Sequence, residues 1–186
     1  VTPVRLYDLN KTLGRIDLGD LFSRDPSLRK LYESREEKYQ DNIEFEYVLE
    51  EEIRSGRVRM EALPEVRDKL DKTQQNGKIN AVISTCTEGA VRSALEQASL
   101  SEYVSDVYST FHWNHTVPSK ARKSAANKSS LGFQLVSNLF LMEGKRIVSY
   151  ADDKLSSLIS AREGLGERVK LYHVGGQEQQ EGIQLV

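Results

Sequence analysis

The sequence predicts an α/β fold: a Rossmann-like three-layer sandwich with a central parallel sheet of about five strands, and a small helical cap inserted after the first strand. Three observations carry that expectation. From residue 62 to residue 174, short apolar runs of strand length alternate with amphipathic helical stretches, the pattern of parallel strands joined by crossover helices. Several of the apolar runs end abruptly in polar residues, as at Asp8, Ser84 and Asp152. In an open α/β sheet the carboxyl ends of the strands share one edge, and ligands bind there. Residues 14–61, by contrast, show helical periodicity.

The elements follow in order. Residues 4–9 read as the first strand, buried and closed by Asp8, with Asn10 and a Lys-Thr pair just beyond. Gly14 and Gly19 then break the path, and Asp25-Pro26-Ser27 reads as a helix start, with Pro near the first helical position. Leu28, Leu31 and Tyr32 share one helical face; Phe45, Val48, Leu49 and Ile53 form a second stripe that Ser55-Gly56 ends. Charge runs such as Glu50-Glu51-Glu52 read as solvated helix faces. Pro64 opens a helix with Val66, Leu70 and Thr73 inward, and Asn76-Gly77 closes it. Ala81-Val82-Ile83 is a buried strand ending in Ser84 and Thr85, followed by a helix with Ala90, Val91, Ala94 and Leu95 on one face. Val104–Ser109 reads as a short strand and 110–127 as a loop. Leu131, Leu135, Val136, Leu139 and Phe140 mark the next helix, Arg146–Ala151 a strand ending in Asp152-Asp153, and Leu155, Leu158 and Ile159 a further helix. Val169–Val174 is the last strand, and the Gln/Glu/Gly-rich tail from Gly175 reads as loose, with Ile183, Leu185 and Val186 as residues that could dock.

Composition bounds the function. The chain has 186 residues, with 26 basic and 28 acidic side chains and a net charge of −2. That balance gives no field for a nucleic-acid polyanion, so no nucleic-acid partner is expected. No apolar run approaches the ~18 residues of a membrane span, and no signal-peptide pattern is read at the N-terminus. The single Cys86 excludes an internal disulfide framework and fits a reducing, cytoplasmic setting. Oligomeric state is not readable.

The polar strand ends bring together a carboxylate (Asp8), an amide (Asn10), hydroxyls (Ser84, Thr85), an ammonium ahead of a helix (Lys128) and an acidic pair (Asp152, Asp153). Each alone has a plain structural reading: a turn or N-cap serine, a strand-end acid, a helix-start charge pair. Two adjacent acids on a buried strand end, however, repel each other without a cation. Lys120 and Lys123 rival Lys128 in the same basic loop; Lys128 is preferred because it precedes Asp152 by 24 residues, with one helix and one strand between them. His112 and His115 lie three apart but have no Cys or His partner nearby in sequence, so a metal site there is disfavoured. Trp113 reads as a loop anchor or pocket wall, Cys86 as a small buried thiol, and His173 as a structural strand residue.

With these residues in place, the chain resembles the haloacid dehalogenase-like superfamily. The matching stretches are Asp8-Leu9-Asn10-Lys11-Thr12-Leu13, Val82-Ile83-Ser84-Thr85, Lys128, and Tyr150-Ala151-Asp152-Asp153. They cover the core, roughly 1–13 and 62–174; the domain expectation is a catalytic core at 1–13 and 62–186 and a cap at 14–61. The resemblance implies a Mg2+-dependent phosphatase acting on a small phosphorylated substrate. Asp8 would attack phosphorus and carry it transiently. Mg2+ would be held by Asp8, the backbone carbonyl of Asn10 and Asp153, with Asp152 acting directly or through water. Ser84, Thr85 and Lys128 would grip the phosphate, and Lys128 would pair with Asp8.

Asn10 departs from the family pattern. Phosphatases of the superfamily usually carry Asp there, to protonate the leaving oxygen and then activate water. Asn does neither, so turnover of ordinary esters should be slow or absent. Three accounts stay open: an introduced Asp→Asn change, a natural member that only binds phosphate ligands, or a reaction needing no acid there, such as carbon–halogen hydrolysis. Substrate choice should lie in the cap, among Tyr32, Arg35, Phe45, Tyr47, Arg54 and Arg57.

Overall fold

Parallel pairing organises the chain. A computed structural model describes residues 1–34, 42–111, 128–177 and 180–186. Among these residues the main sheet has six strands, all parallel, in the order β5-β4-β1-β6-β7-β8. The strands are β1 (Thr2–Tyr7), β4 (Ile79–Ser84), β5 (Asp106–Ser109), β6 (Lys145–Asp152), β7 (Lys170–His173) and β8 (Ile183–Leu185). The α/β expectation holds, with one strand more than the sequence suggested. The extra strand is β8, which sequence reading left as a loose tail. Ile183 supplies the reason: it is buried in the same apolar cluster as Leu171 of β7.

Strand alternation divides the core in two. Val4 and Leu6 of β1 and Ala81 and Ile83 of β4 point to one face. There they meet α6 (Ser130–Met142) through Phe133, Val136 and Phe140, and α7 (Leu155–Leu165) through Leu158 and Ala161. Val82 faces the other way, with Leu70 of α4 (Val66–Gln75) and with Ala90, Val91, Ala94 and Leu95 of α5 (Glu88–Gln97). The predicted inward residues of α4 and α5 are all buried. Helix α6 differs in phase. Leu131, Leu135 and Leu139 remain 36–40% exposed, while the larger Phe133 and Phe140 take the core side with Val136. Their rings stack edge-on against Tyr150 and Tyr108, at 4.9 Å each, so aromatic packing sets the rotation of the helix.

The segment after β1 holds a second, two-stranded antiparallel sheet: β2 (Gly14–Ile16) paired with β3 (Met60–Ala62). Gly14 is required at this crossing, because an added Cβ would lie 2.6 Å from the Glu61 carbonyl oxygen. Between these strands run α1 (Gly19–Arg24), α2 (Pro26–Ser34) and α3 (Asn42–Arg54). The α3 stripe of Phe45, Leu49 and Ile53 is buried in one cluster with Val91 and Leu95 of α5. Phe22, Tyr32 and Phe45 form a group of rings 5.2–6.4 Å apart. Gln97 ties the helical segment to α5: its amide donates to the Ile53 carbonyl (2.7 Å), and its oxygen accepts from the Met60 N–H (3.1 Å).

Candidate active site

The sheet order puts β4, β1 and β6 side by side, so their carboxyl ends deliver Ser84, Asp8 and Asp152 to one edge. After Tyr7 the chain folds into a tight turn in which the Leu9 carbonyl accepts from the amides of Thr12, Leu13 and Gly14. Lys11 sits at φ 62°, a left-handed conformation uncommon for a side-chain-bearing residue and frequent where a turn is functionally constrained. The turn places Asn10 beside Asp8, and the Asn10 Oδ1 accepts the Ile16 N–H at 3.1 Å.

Six of the seven predicted site residues, Asp8, Asn10, Ser84, Thr85, Lys128 and Asp153, line one cavity of about 80 Å³. Asp152 is fully buried. Lys128, itself only 3% exposed, donates to Asp8 Oδ1 at 2.6 Å and to Asp152 Oδ2 at 2.9 Å. Asp152 is saturated: its Oδ1 accepts the Lys154 N–H (2.8 Å), and its Oδ2 also accepts the Tyr150 hydroxyl. Sequence reading gave Tyr150 no role. The usable signal was spacing, because residues two apart on a strand share a face.

Electrostatics single out the cluster. Asp8, Asp152 and Asp153 offer carboxylate oxygens all within 4.8 Å of one another, and the Lys128 ammonium bonds two of them, Asp8 and Asp152. Burial and the Asp152 charge push Asp8 up to about 7, against the pull of Lys128. Burial and Asp152 also raise Asp153. Burial alone would lower Lys128, but the charges of Asp152 and Asp8 outweigh it and hold the ammonium in its charged form. Burial and Asp152 raise the Tyr150 hydroxyl well above its ordinary value, so it stays a donor.

Ser84 is buried and its Oγ accepts the Cys86 N–H at 3.1 Å, forming a turn. The cap of α5 is Thr87, whose hydroxyl accepts from the Ala90 N–H. Cys86 is half-buried, packs against the core on the α5 side and lines the cavity. The opposite wall comes from the helical segment: Ile16, Leu18, Tyr32, Phe45 and Leu49. Of the other residues proposed from sequence to face the substrate, Arg54 pairs with Glu50 and Arg57 with Glu52, while exposed Tyr47 stacks on Phe111. His173 Nε2 donates to the Asp153 carbonyl, 3.0 Å away. Arg35, His112, Trp113, His115, Lys120 and Lys123 lie outside the described residues.

No protein-family model and no curated protein sequence matches the chain. Solved structures do. L-2-haloacid dehalogenase from Xanthobacter autotrophicus, with chloropropionic acid covalently bound, shares 10% identity at a TM-score of 0.62, over 96% of this chain and 80% of that one. A dehalogenase with intermediate complex shares 12% at 0.64, over 99% and 92%. A predicted phosphoglycolate phosphatase from Haemophilus somnus shares 14% at 0.61, over 94% and 85%. At such identities the likeness speaks for architecture: the chain has the haloacid dehalogenase-like fold.

Proposed function

We propose that this haloacid dehalogenase-like fold carries a phosphoryl-transfer site in which Asp8 is the nucleophile and Asn10 limits turnover. The observation that supports the reading best is the meeting of Asp8, Lys128, Asp153, Ser84 and Thr85 around one small cavity. A fold alone does not fix a reaction; these side chains supply a nucleophile, a cation and hydroxyl donors within reach of one another.

The donor set fits Mg2+. Three carboxylates gather here, and the two that line the cavity, Asp8 and Asp153, are held above the ordinary carboxylate range by burial and by Asp152, despite the neighbouring lysines. Hard oxygen donors with room for retained water are what the ion prefers. Asp8, Asp153 and the Asn10 carbonyl would hold it, with Asp152 turned to Lys128 and Tyr150. When bound, the ion would offset negative charge on the phosphate and on Asp8.

The chain's own groups do the rest. Lys128 holds the Asp8 carboxylate in one orientation through Oδ1, leaving Oδ2 for attack. Ser84 and Thr85 offer hydroxyls, and the amides opening α5 lie beside them. An Asp8 oxygen bonds to phosphorus as the ester P–O bond breaks and the alkoxide departs, taking its proton from solvent. Water then adds to phosphorus and loses a proton to solvent, the bond from Asp8 to phosphorus breaks, and phosphate leaves. Asn10 neither protonates the departing alkoxide nor takes a proton from that water, so both halves are slow for alkyl esters. Helices α1–α3 act as the cap, and their apolar wall excludes water. A small substrate with an apolar leaving group fits the cavity.

The test uses p-nitrophenyl phosphate, whose phenolate leaves without protonation. With Mg2+, the chain should release one equivalent of p-nitrophenol per site in a burst and then stall, with a hydroxylamine-sensitive phosphoryl adduct on Asp8. Absence of both burst and adduct, with Mg2+ still bound, would favour the phosphate-ligand binder. Carbon–halogen hydrolysis has one observation in its favour, the apolar wall of Leu18, Tyr32 and Phe45. Halide release from a short 2-haloalkanoate without added Mg2+ would establish it instead.

A further inference from the structure

All-parallel sheets are ordinarily covered on both faces. Here α6 and α7 cover one face, while α4 and α5 lie on the other against β4, β1 and β5. Over β6 and β7 on that second face, no described helix packs. The structure leaves a trough of about 570 Å³ there. Its floor is an in-register row of Tyr7, Ala151 and Tyr172 from three adjacent strands, and Leu70 and Val66 of α4 form one wall.

Two features say what would cover it. The first is width. Two strand spacings of about 4.8 Å separate β1 from β7, so the floor is about 10 Å across, the diameter of one α-helix with its side chains. The second is charge. Arg5, Lys69, Lys72 and Lys78 line the trough, and no carboxylate side chain among the described residues does. None of these four cations forms an ion pair with a described residue. On a chain of net charge −2, a trough with a cationic edge on the α4 side and an apolar floor selects a ligand of the opposite pattern.

We propose that this trough seats an amphipathic α-helix of a partner protein, its apolar stripe on Tyr7, Ala151 and Tyr172 and acidic residues along its flanks meeting Lys69, Lys72 and Lys78. The surface lies on the sheet face beside α4, apart from the cavity at the strand ends, and does not depend on the phosphoryl-transfer reading.

The probe is a stapled helix of about 15 residues, since unstapled helices of that length are marginal in water. It carries a leucine stripe with Glu flanks; a second probe keeps the stripe and has Lys flanks. Fluorescence anisotropy at low salt should show the Glu-flanked helix binding at least about tenfold tighter, the gap narrowing as salt is added. The double variant Lys69→Glu/Lys72→Glu leaves two cations against two carboxylates and should abolish the preference. Both lysines are exposed, so fold and p-nitrophenol burst should be unchanged. Amide shifts on binding should centre on Tyr7, Ala151 and Tyr172. Equal binding of the two probes, an undiminished preference in the double variant, or shifts elsewhere overturns the proposal. So does self-association protecting the same residues, or saturable binding of laurate where neither helix binds.

Discussion

Asn10→Asp restores one proton-transfer group and leaves the scaffold intact. The Asn10 Oδ1 accepts the Ile16 N–H at 3.1 Å, and a carboxylate oxygen keeps that bond. The amide nitrogen becomes a second oxygen, on a residue that lines the cavity with Asp8. General acid–base help is worth about 10²–10⁴-fold, or about 3–5 kcal/mol of barrier at ~1.36 kcal/mol per tenfold. The gain should divide unevenly between steps. With p-nitrophenyl phosphate the burst rate should hardly change, because the phenolate needs no proton, whereas steady-state turnover should rise by the full factor. With an alkyl phosphate both phases should rise. Stopped-flow release of p-nitrophenol, with phosphate detection in parallel, separates the two. An unchanged steady state in the Asp form, with burst and adduct intact, would refute the assignment of position 10 to water activation. A burst that accelerates as much as the steady state would refute the division of roles.

Three further outcomes follow from the charge cluster. Asp8 is raised from its ordinary 3.8 to about 7, so between those values the folded state holds more protons than the unfolded one. Metal-free protein should therefore lose stability as pH rises from about 4 to about 7, by at most about 4 kcal/mol. Mg2+ competes with those protons, so its effect on Tm should be small near pH 5 and grow towards about pH 8; an equal or larger gain at the acid end contradicts the assigned ligands. Tyr150→Phe removes one donor from fully buried Asp152 and should cost about 1–3 kcal/mol of stability, read by urea denaturation. A neutral result would mean that Lys128 and the Lys154 amide alone satisfy that carboxylate.

Much of this was legible because the local rules act at short range. Short apolar runs ending abruptly in polar residues marked β1, β4 and β6, and the carboxyl ends of parallel neighbours necessarily share an edge. Asp8, Ser84 and Asp152 could thus be grouped without coordinates. What escaped depended on distant partners. The Leu131, Leu135, Leu139 stripe and the Phe133, Val136, Phe140 stripe both have helical spacing, and only contact with Tyr108 and Tyr150 decides between them. Strands β2, β3 and β8 have three residues each, too few to display alternation. The insert's apolar cavity wall was half legible: Phe45 and Leu49 lay on a predicted stripe, but that they and Tyr32 line the cavity beside Asp8 is a matter of packing against α5.

The two neighbouring acids do different work. Asp152 is buried to the last atom and receives Lys128, the Tyr150 hydroxyl and the Lys154 amide, so its charge is balanced from within the protein. Its negative charge keeps Lys128 protonated despite burial, and that ammonium in turn fixes Asp8. Asp153 faces the cavity beside Asp8, and burial and the Asp152 charge raise its carboxyl against the pull of Lys154 and Lys11. The two cavity carboxylates repel each other, a repulsion that protons relieve at low pH and a divalent ion would relieve at neutral pH. An aspartate at position 10 would add a further negative group to that cavity. The same substitution that accelerates turnover should thus deepen the dependence of stability on the ion: the Mg2+-induced rise in Tm near neutral pH should be larger for Asn10→Asp than for the Asn10 chain.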